Sequence, residues 1–417
     1  MQDIAFRLAQ LTTAQSEAAA QVYAALDVAG GRTRLVGGCV RDALLGHPCA
    51  DLDLATQLLP DQVIARIAAA GLKAVPTGLA HGTVTVVAAR RPFEVTTLRE
   101  DVATNGRHAT VAFTQDWARD AMRRDFTINA LSANPLTGAL YDYTGGQADL
   151  AAGVVRFIGD PATRIAEDHL RILRFFRFSA RYAAGALHAE SLAACIAARR
   201  TLQALSRERI RDELLKLLVT PKVLPTLAVM FTHEILVPVL PELLPEHQVR
   251  LARLIALEPV PDPLRRFACL LPDSALEPVA KRLHLSRADQ TRMAAMAGAE
   301  HIAAPALATL DDPAALRRWA YDQPDHTAID RLLRAAAALD DPPMLTPALA
   351  ALSQWTRPKL PLRGADLIAR GLTPGPQVSR ALQAVQAAWV AADFPTEPHT
   401  LDALAHAAIA PFLVSHI

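Results

Sequence analysis

The chain has 417 residues, 51% of them hydrophobic and 20% charged, and it sets 43 Lys and Arg against 42 Asp and Glu for a formal charge of +1. At roughly 150 residues per domain that length gives two to four domains, and the apolar share excludes global disorder. The near-neutral balance excludes a chain-wide basic surface, so any nucleic-acid site is local.

Cys39, Cys49, Cys195 and Cys269 fit neither a zinc spacing nor a paired framework, and they read as small buried residues of a reducing compartment. No apolar run of about 18 residues or more occurs, so no membrane span is expected and the cytoplasm is the expected compartment. Glycine thins out after Gly185, where the chain changes from β-like runs to Ala-, Leu- and Arg-rich segments cut by prolines.

In chain order, strands are predicted at RTRLVGG (32–38), DLDLAT (51–56), GTVTVVAA (82–89) and FEVTTL (93–98). Between the first two, Gly37-Gly38 opens a helix carrying Arg41, a turn that exposes backbone N–H groups to an anion and adds a guanidinium fork for phosphate oxygens. On the second strand Asp51 and Asp53 project to one face while Leu52 and Leu54 go to the core. Two adjacent acids repel unless a cation neutralises them, and hard oxygen donors with open positions suit Mg²⁺ holding substrate phosphates. The plainer readings are a solvent-facing edge pair and an ordinary turn with Arg41 paired to Asp42. The combination of both motifs favours a phosphate cradle facing a metal site.

Further along, the stretch Glu100 to Thr114, with Asn105-Gly106-Arg107, reads as a flexible loop or a plain hairpin turn. DWARDAMRRDFTINAL (116–131) reads as a helix capped by Asp116, with Asp120 and Arg124 as i,i+4 partners. YDYTGGQADL carries a turn and then Asp149 as the cap of a short helix. PATRIAEDHLRILRFFRFSARY (161–182) reads as one buried helix with a basic side, on which Asp168, Arg171, Arg174 and Arg177 fan around the axis. Its plainer reading is a surface helix with ion pairs such as Glu167 to Arg171. The amphipathic run 206–218 ends near a second boundary at 219–225.

GGCVRD (37–42), DLDLAT (51–56), RRDFTINAL (123–131) and EDHLRILRFFRFSARY (167–182), in that order, resemble the signature of class II tRNA nucleotidyltransferases, the CCA-adding enzymes and their bacterial poly(A) polymerase relatives. The resemblance covers about residues 30–220. It implies an α+β chain: a polymerase β-like nucleotidyltransferase head with a small mixed or antiparallel sheet (1–148), then an all-α neck (149–220), body (221–290) and tail (291–417, tRNA binding). It implies template-independent addition of CMP and AMP from CTP and ATP to the tRNA 3′ end, with two Mg²⁺ ions and release of pyrophosphate.

By the same resemblance Asp51 and Asp53 are metal ligands, Gly38 and Arg41 hold nucleotide phosphates, Arg124 contacts nucleotide, and Asp168 and Arg171 choose the base with Arg174 and Arg177 beside them. Glu94 is either a third catalytic carboxylate or a surface strand acid. The loop near 100–114 would help switch nucleotide choice. The rival functions are poly(A) addition, a silent RNA-binding protein and transfer to a small molecule. No protein partner is indicated.

Overall fold

The computed structural model describes residues 16–27, 30–49, 51–105, 108–324 and 327–413. It divides into two compact units, the first ending at Pro241 and the second beginning at Glu242, a division that falls inside the 221–290 stretch.

The first unit starts with α1 (Ser16–Leu26), β1 (Thr33–Val36), α2 (Gly38–Leu44), β2 (Asp53–Thr56), α3 (Pro60–Ala69), β3 (Lys73–Gly78), β4 (Thr83–Ala88) and β5 (Arg91–Thr97). With the short β8 (Ser132–Ala133) and β9 (Leu140–Tyr141), these strands form a seven-stranded sheet among the described residues, in the order β3-β4-β5-β2-β1-β8-β9. Alternation builds it: Val84, Val86 and Ala88 of β4 and Phe93 and Val95 of β5 are buried. Every neighbouring pair is antiparallel except β2 and β5, which run parallel. The sheet is thus mixed, within the expected fold class.

The stretch expected as a loop or hairpin turn is a regular antiparallel hairpin, β6 (Arg99–Asn105) and β7 (His108–Phe113), with a register shift between Asp101 and Ala103. Gly106 and Arg107 lie outside the described residues. After it, Asp116 caps α4 (Trp117–Met122) as expected, accepting from the Ala118 N–H at 2.8 Å. The helix stops at Met122 and does not run to 131. Phe126 instead takes extended backbone bridged to Phe157, and a 3₁₀ turn covers Thr127–Asn129.

Asp149 is not a cap. It lies inside α5 (Gly146–Ala152), buried, accepting from Thr127 and, at 2.7 Å, from Arg156 Nε. The turn before α5 is held by Asp142, whose carboxylate accepts from the N–H groups of Thr144, Gly145, Gly146 and Gln147. A Cβ on Gly146 would sit 2.2 Å from the Thr127 carbonyl oxygen, so only glycine allows this approach.

The expected single helix over 161–182 is two: α6 (Pro161–Glu167) and α7 (Arg171–Tyr182). Asp168 between them is extended (φ −152, ψ 107), and its side chain accepts from the Leu170 N–H at 3.1 Å. An aspartate that caps the next turn competes with helix continuation. Phe126, Phe157, Phe175 and Phe178 pack at 5.0–6.4 Å and fix α7 against the head. Then come α8 (Ala189–Ala198), α9 (Arg207–Leu218) and α10 (Val223–Thr232).

The second unit is helical from Gln248–Leu257 to Pro398–Leu413 among its described residues. Its interior holds a buried ion-pair cluster, in which Asp330 accepts from Arg265 and Arg292 at 2.6–2.8 Å and Glu258 pairs with Arg265 and Arg266.

Candidate active site

Asp53 and Glu94 face each other where the parallel pair β2–β5 begins, and Asp51 precedes β2 by two residues. Leu52 and Leu54 are buried at 6% and 4% exposure, which turns Asp51 and Asp53 to the exposed face, as the strand period requires. In the β2–β5 register Asp53 lies directly beside Glu94, two exposed acids on neighbouring strands. Burial, then Glu94 and Asp51, push the Asp53 carboxyl above its usual range, while Arg124 pulls the other way. Neighbouring carboxylates have the donor chemistry of an oxygen-ligated cation site. Among the described residues no three His, Cys, Asp or Glu side chains converge closely enough to form a complete cage.

The Gly37-Gly38 turn stands beside them. Gly37 has φ +72 and ψ −126, and a Cβ there would sit 2.9 Å from Arg124 Nη1, so the glycine that the geometry demands is Gly37. Gly38 begins α2 with only an ordinary 3.6 Å approach to Arg41. Arg124 also reaches the Asn129 carbonyl and Asp120 Oδ2, each at 3.4 Å.

Arg41 is 6% exposed, stacked 4.3 Å from the Tyr182 ring, and donates to Asp42 and to Asn129 Oδ1. The Asp42 pairing considered as the plain alternative is present, and Tyr182 adds a hydroxyl donation to Asp42 at 2.8 Å, tying α7 to α2.

Asp168 at the α6–α7 junction and Arg171, Arg174 and Arg177 of α7 are each held by a charged partner. Asp168 accepts from Arg209 of α9 at 2.7 Å. Arg171 is bonded to Glu167, to the Arg164 carbonyl at 2.9 Å and to the Arg123 carbonyl at 3.3 Å, so the ion pair of the plainer reading exists. Asp168 and Arg171 thus lie at one helix junction but bond different partners. Arg174 bonds Asp125 at 2.6 Å, and Arg177 bonds the buried Glu213. Burial alone would raise the Asp125 carboxyl, but Arg174, Asn129 and the Phe126 N–H outweigh it and hold the group below its usual range. A cavity of 320 Å³ lined by Glu100, Arg119, Met122, Arg123, Arg164 and Glu167 opens beside the Arg171 contacts.

Tyr182 and Glu213 carry this architecture without standing among the expected site residues, and Asp125, Asn129 and Arg209, expected only to shape the pocket or follow RNA, are ion-pair or hydrogen-bond partners within it. The signals were present in the Asp and Asn of RRDFTINAL and in the acids of SRERIRDELL, but their partners lie far away in sequence.

Two family models match the chain: the poly A polymerase head domain over residues 33–156, and a probable RNA and SrmB-binding site of polymerase A over residues 186–246. The CCA tRNA nucleotidyltransferase 1, mitochondrial, of Danio rerio is 48% identical over 189 residues, which span 45% of this chain and 44% of that protein. The CCA-adding enzyme of Oceanobacillus iheyensis is 40% identical over 184 residues, 44% of each chain. The matched stretch is therefore under half the length of these curated relatives. The crystal structure of the Bacillus stearothermophilus CCA-adding enzyme in complex with CTP superposes with a TM-score of 0.73 at 27% identity, over 95% of this chain and 98% of that one. The chain therefore carries a match to the poly A polymerase head domain over residues 33–156 and shares, over 95% of its length, the fold of a CCA-adding enzyme.

Proposed function

We propose that this chain adds CMP and AMP, from CTP and ATP, to the 3′ end of tRNA and releases pyrophosphate. The observation that carries the reading is the registered pair Asp53 and Glu94, with Asp51 on the same face, beside the Gly37-Gly38 turn. Nucleotidyl transfer depends on positioning and charge neutralisation more than on covalent help from protein. Mg²⁺ at Asp51 and Asp53, two ions in our reading, would supply neutralisation of phosphate charge and a lower pKa for the attacking 3′-hydroxyl. Glu94 is the third carboxylate of that set.

Gly38, Arg41 and Arg124 orient the triphosphate. Arg41 is locked by Asp42, Asn129 and Tyr182, and a fork that cannot rotate loses little entropy on meeting phosphate. At the α6–α7 junction, the Asp168 carboxylate accepts from the exocyclic amino group that cytosine and adenine share, and Arg171 donates to the neighbouring ring acceptor. A wrong base leaves one of these groups unpaired, which is the basis of strong polar selection. Arg174 and Arg177 complete the nucleotide surface. The neck (149–220), body (221–290) and tail (291–417) are assigned to base choice and to tRNA.

Poly(A) addition is the second reading, favoured by the description of the matching head model. No helix among the described residues is long and apolar enough to cross a membrane. The compartment we propose is the cytoplasm; the relatives from Danio rerio, Mus musculus and Homo sapiens are named mitochondrial. The test supplies labelled CTP, ATP, UTP and GTP one at a time to tRNA lacking its 3′ CCA. Incorporation of C but not U or G supports the reading. Incorporation of A alone, on any RNA, moves it to poly(A) addition.

A further inference from the structure

Asn129 ends the 3₁₀ turn that follows α4 and is 7% exposed. Its side-chain amide lies between opposite charges. The amide oxygen accepts from Arg41 Nη1, and the amide nitrogen donates to Asp125 Oδ1 at 3.0 Å. The backbone carbonyl accepts from Arg124 Nη1 at 3.4 Å, and the backbone N–H donates to the Phe126 carbonyl at 2.9 Å. Asp125 passes the connection on, since its second oxygen accepts from Arg174 Nε at 2.8 Å. One asparagine therefore stands between three arginines from separate parts of the chain: Arg41 of α2, Arg124 just after α4 and, through Asp125, Arg174 of α7.

The residue type follows from those partners. A guanidinium only donates and an ionised carboxylate only accepts, so a side chain between them must accept at one end and donate at the other, which an amide does without adding charge. A carboxylate at this place would face Asp125, and an aliphatic group would leave the buried Arg41 Nη1 without its acceptor. Asp42 holds Nε and Nη2 of Arg41 at 2.9 and 3.0 Å, and Asn129 holds the remaining nitrogen, so the two together fix the guanidinium plane. Without the amide, Asp42 alone tethers the fork, which can then turn about that contact.

We propose that Asn129 is a positioning residue, which aligns Arg41 and Arg124 on the triphosphate and keeps them in register with Arg174; the nucleotide roles of these arginines rest on the function proposed above. In this role it acts through the arginines and not by contact with nucleotide. The side chain works through Arg41 and Asp125, and the backbone carbonyl through Arg124. A fork already held in place loses little entropy on meeting phosphate, whereas one that must first be ordered loses affinity.

The full-length protein and its Asn129→Leu variant, which replaces the amide at similar volume, are titrated calorimetrically with inorganic tripolyphosphate, a probe that carries the phosphates without base or ribose. Steady-state incorporation of CTP and of ATP is read beside it. Tripolyphosphate binding should weaken by about tenfold or more, as expected for losing a hydrogen bond to a charged group. kcat/KM should fall by about 10²-fold, and by the same factor for CTP and ATP because they share the triphosphate, with the preference for CTP over UTP unchanged. In an Arg41→Ala background the same substitution should cost less than about threefold further in tripolyphosphate affinity, because the side chain then has no phosphate arginine to act through. Unchanged tripolyphosphate affinity in the variant, whatever its Tm, overturns the positioning role, and so does a full additional loss in the Arg41→Ala background. Asn129→Ser removes the same amide with a smaller group and carries the test where the leucine variant does not fold. Absence of tripolyphosphate binding by the wild type also overturns the role. A wild type that binds tripolyphosphate but incorporates no nucleotide overturns the assigned reaction instead, and the binding comparison still decides the positioning.

Discussion

Replacing Gly37 by alanine tests how the turn and the nucleotide arginine are coupled. At φ +72 and ψ −126 the backbone occupies a region that is essentially glycine's, and holding alanine there costs about 1–3 kcal/mol. The Gly37 N–H donates to the Leu131 carbonyl at 3.0 Å, so the turn cannot relax without losing a sheet-edge bond. The new Cβ would stand 2.9 Å from Arg124 Nη1, and the guanidinium has to withdraw by several tenths of an ångström. Taking about 2 kcal/mol for the backbone and about 2–4 °C per kcal/mol for a unit of this size, Tm should fall by about 4–8 °C. Incorporation should fall by about 10²-fold through the displaced Arg124. Gly38→Ala is the comparison, since its Cβ meets Arg41 only at 3.6 Å and its Tm should move by about 1 °C or less. Thermal unfolding by circular dichroism and single-nucleotide extension read both variants. Wild-type Tm and rate in Gly37→Ala, or greater damage from Gly38→Ala, would refute the reasoning.

Other perturbations have equally definite outcomes. Asp53→Asn should abolish incorporation yet leave Tm unchanged or higher, because it removes one acid from a mutually repelling set; a clear drop in Tm would contradict that electrostatic picture. Arg171→Ala should raise incorporation of UTP and GTP relative to CTP, and unaltered discrimination would remove Arg171 from base choice. Asp125→Asn should cost about 2–3 kcal/mol at neutral pH, less than the about 3–5 of a fully buried pair because Arg174 is 30% exposed. Since the folded Asp125 carboxyl is held low, its stabilisation is present above the unfolded value of 3.8 and is lost as pH falls through the folded value. Urea unfolding of both proteins from pH 7 downward should therefore show the gap closing in acid, and a gap that widens there would reverse the assignment. Glu213→Ala should destabilise by about 3 kcal/mol or more by leaving Arg177 beside an emptied buried site, measured the same way.

Much of the head was legible because its signals are local. Alternation placed β4 and β5, the Gly-Gly punctuation placed the start of α2, and Asp116 announced α4. The run 206–218 became α9 almost residue for residue. What escaped depends on contacts between distant residues. The break at Asp168 occurs without glycine or proline, and it is held by a cap to Leu170 together with Arg209, forty-one positions away. The early end of α4 follows from the Phe126–Phe157 bridge. The neighbour of Glu94 across the sheet, Asp53, was not legible either, since a strand acid's neighbour depends on sheet order. The arginines of α7 were visible as a basic side, but their counter-charges Asp125 and Glu213 came from other elements, so the side that looked free is a set of fixed forks.

The most direct test of the central claim is the 3′-end sequence after incubation with all four nucleoside triphosphates and Mg²⁺, on tRNA lacking CCA and on an unrelated RNA. The account predicts C, C and A added in that order to the tRNA and nothing to the other RNA. A long A tract on either RNA, or no extension of the tRNA at all, would contradict it.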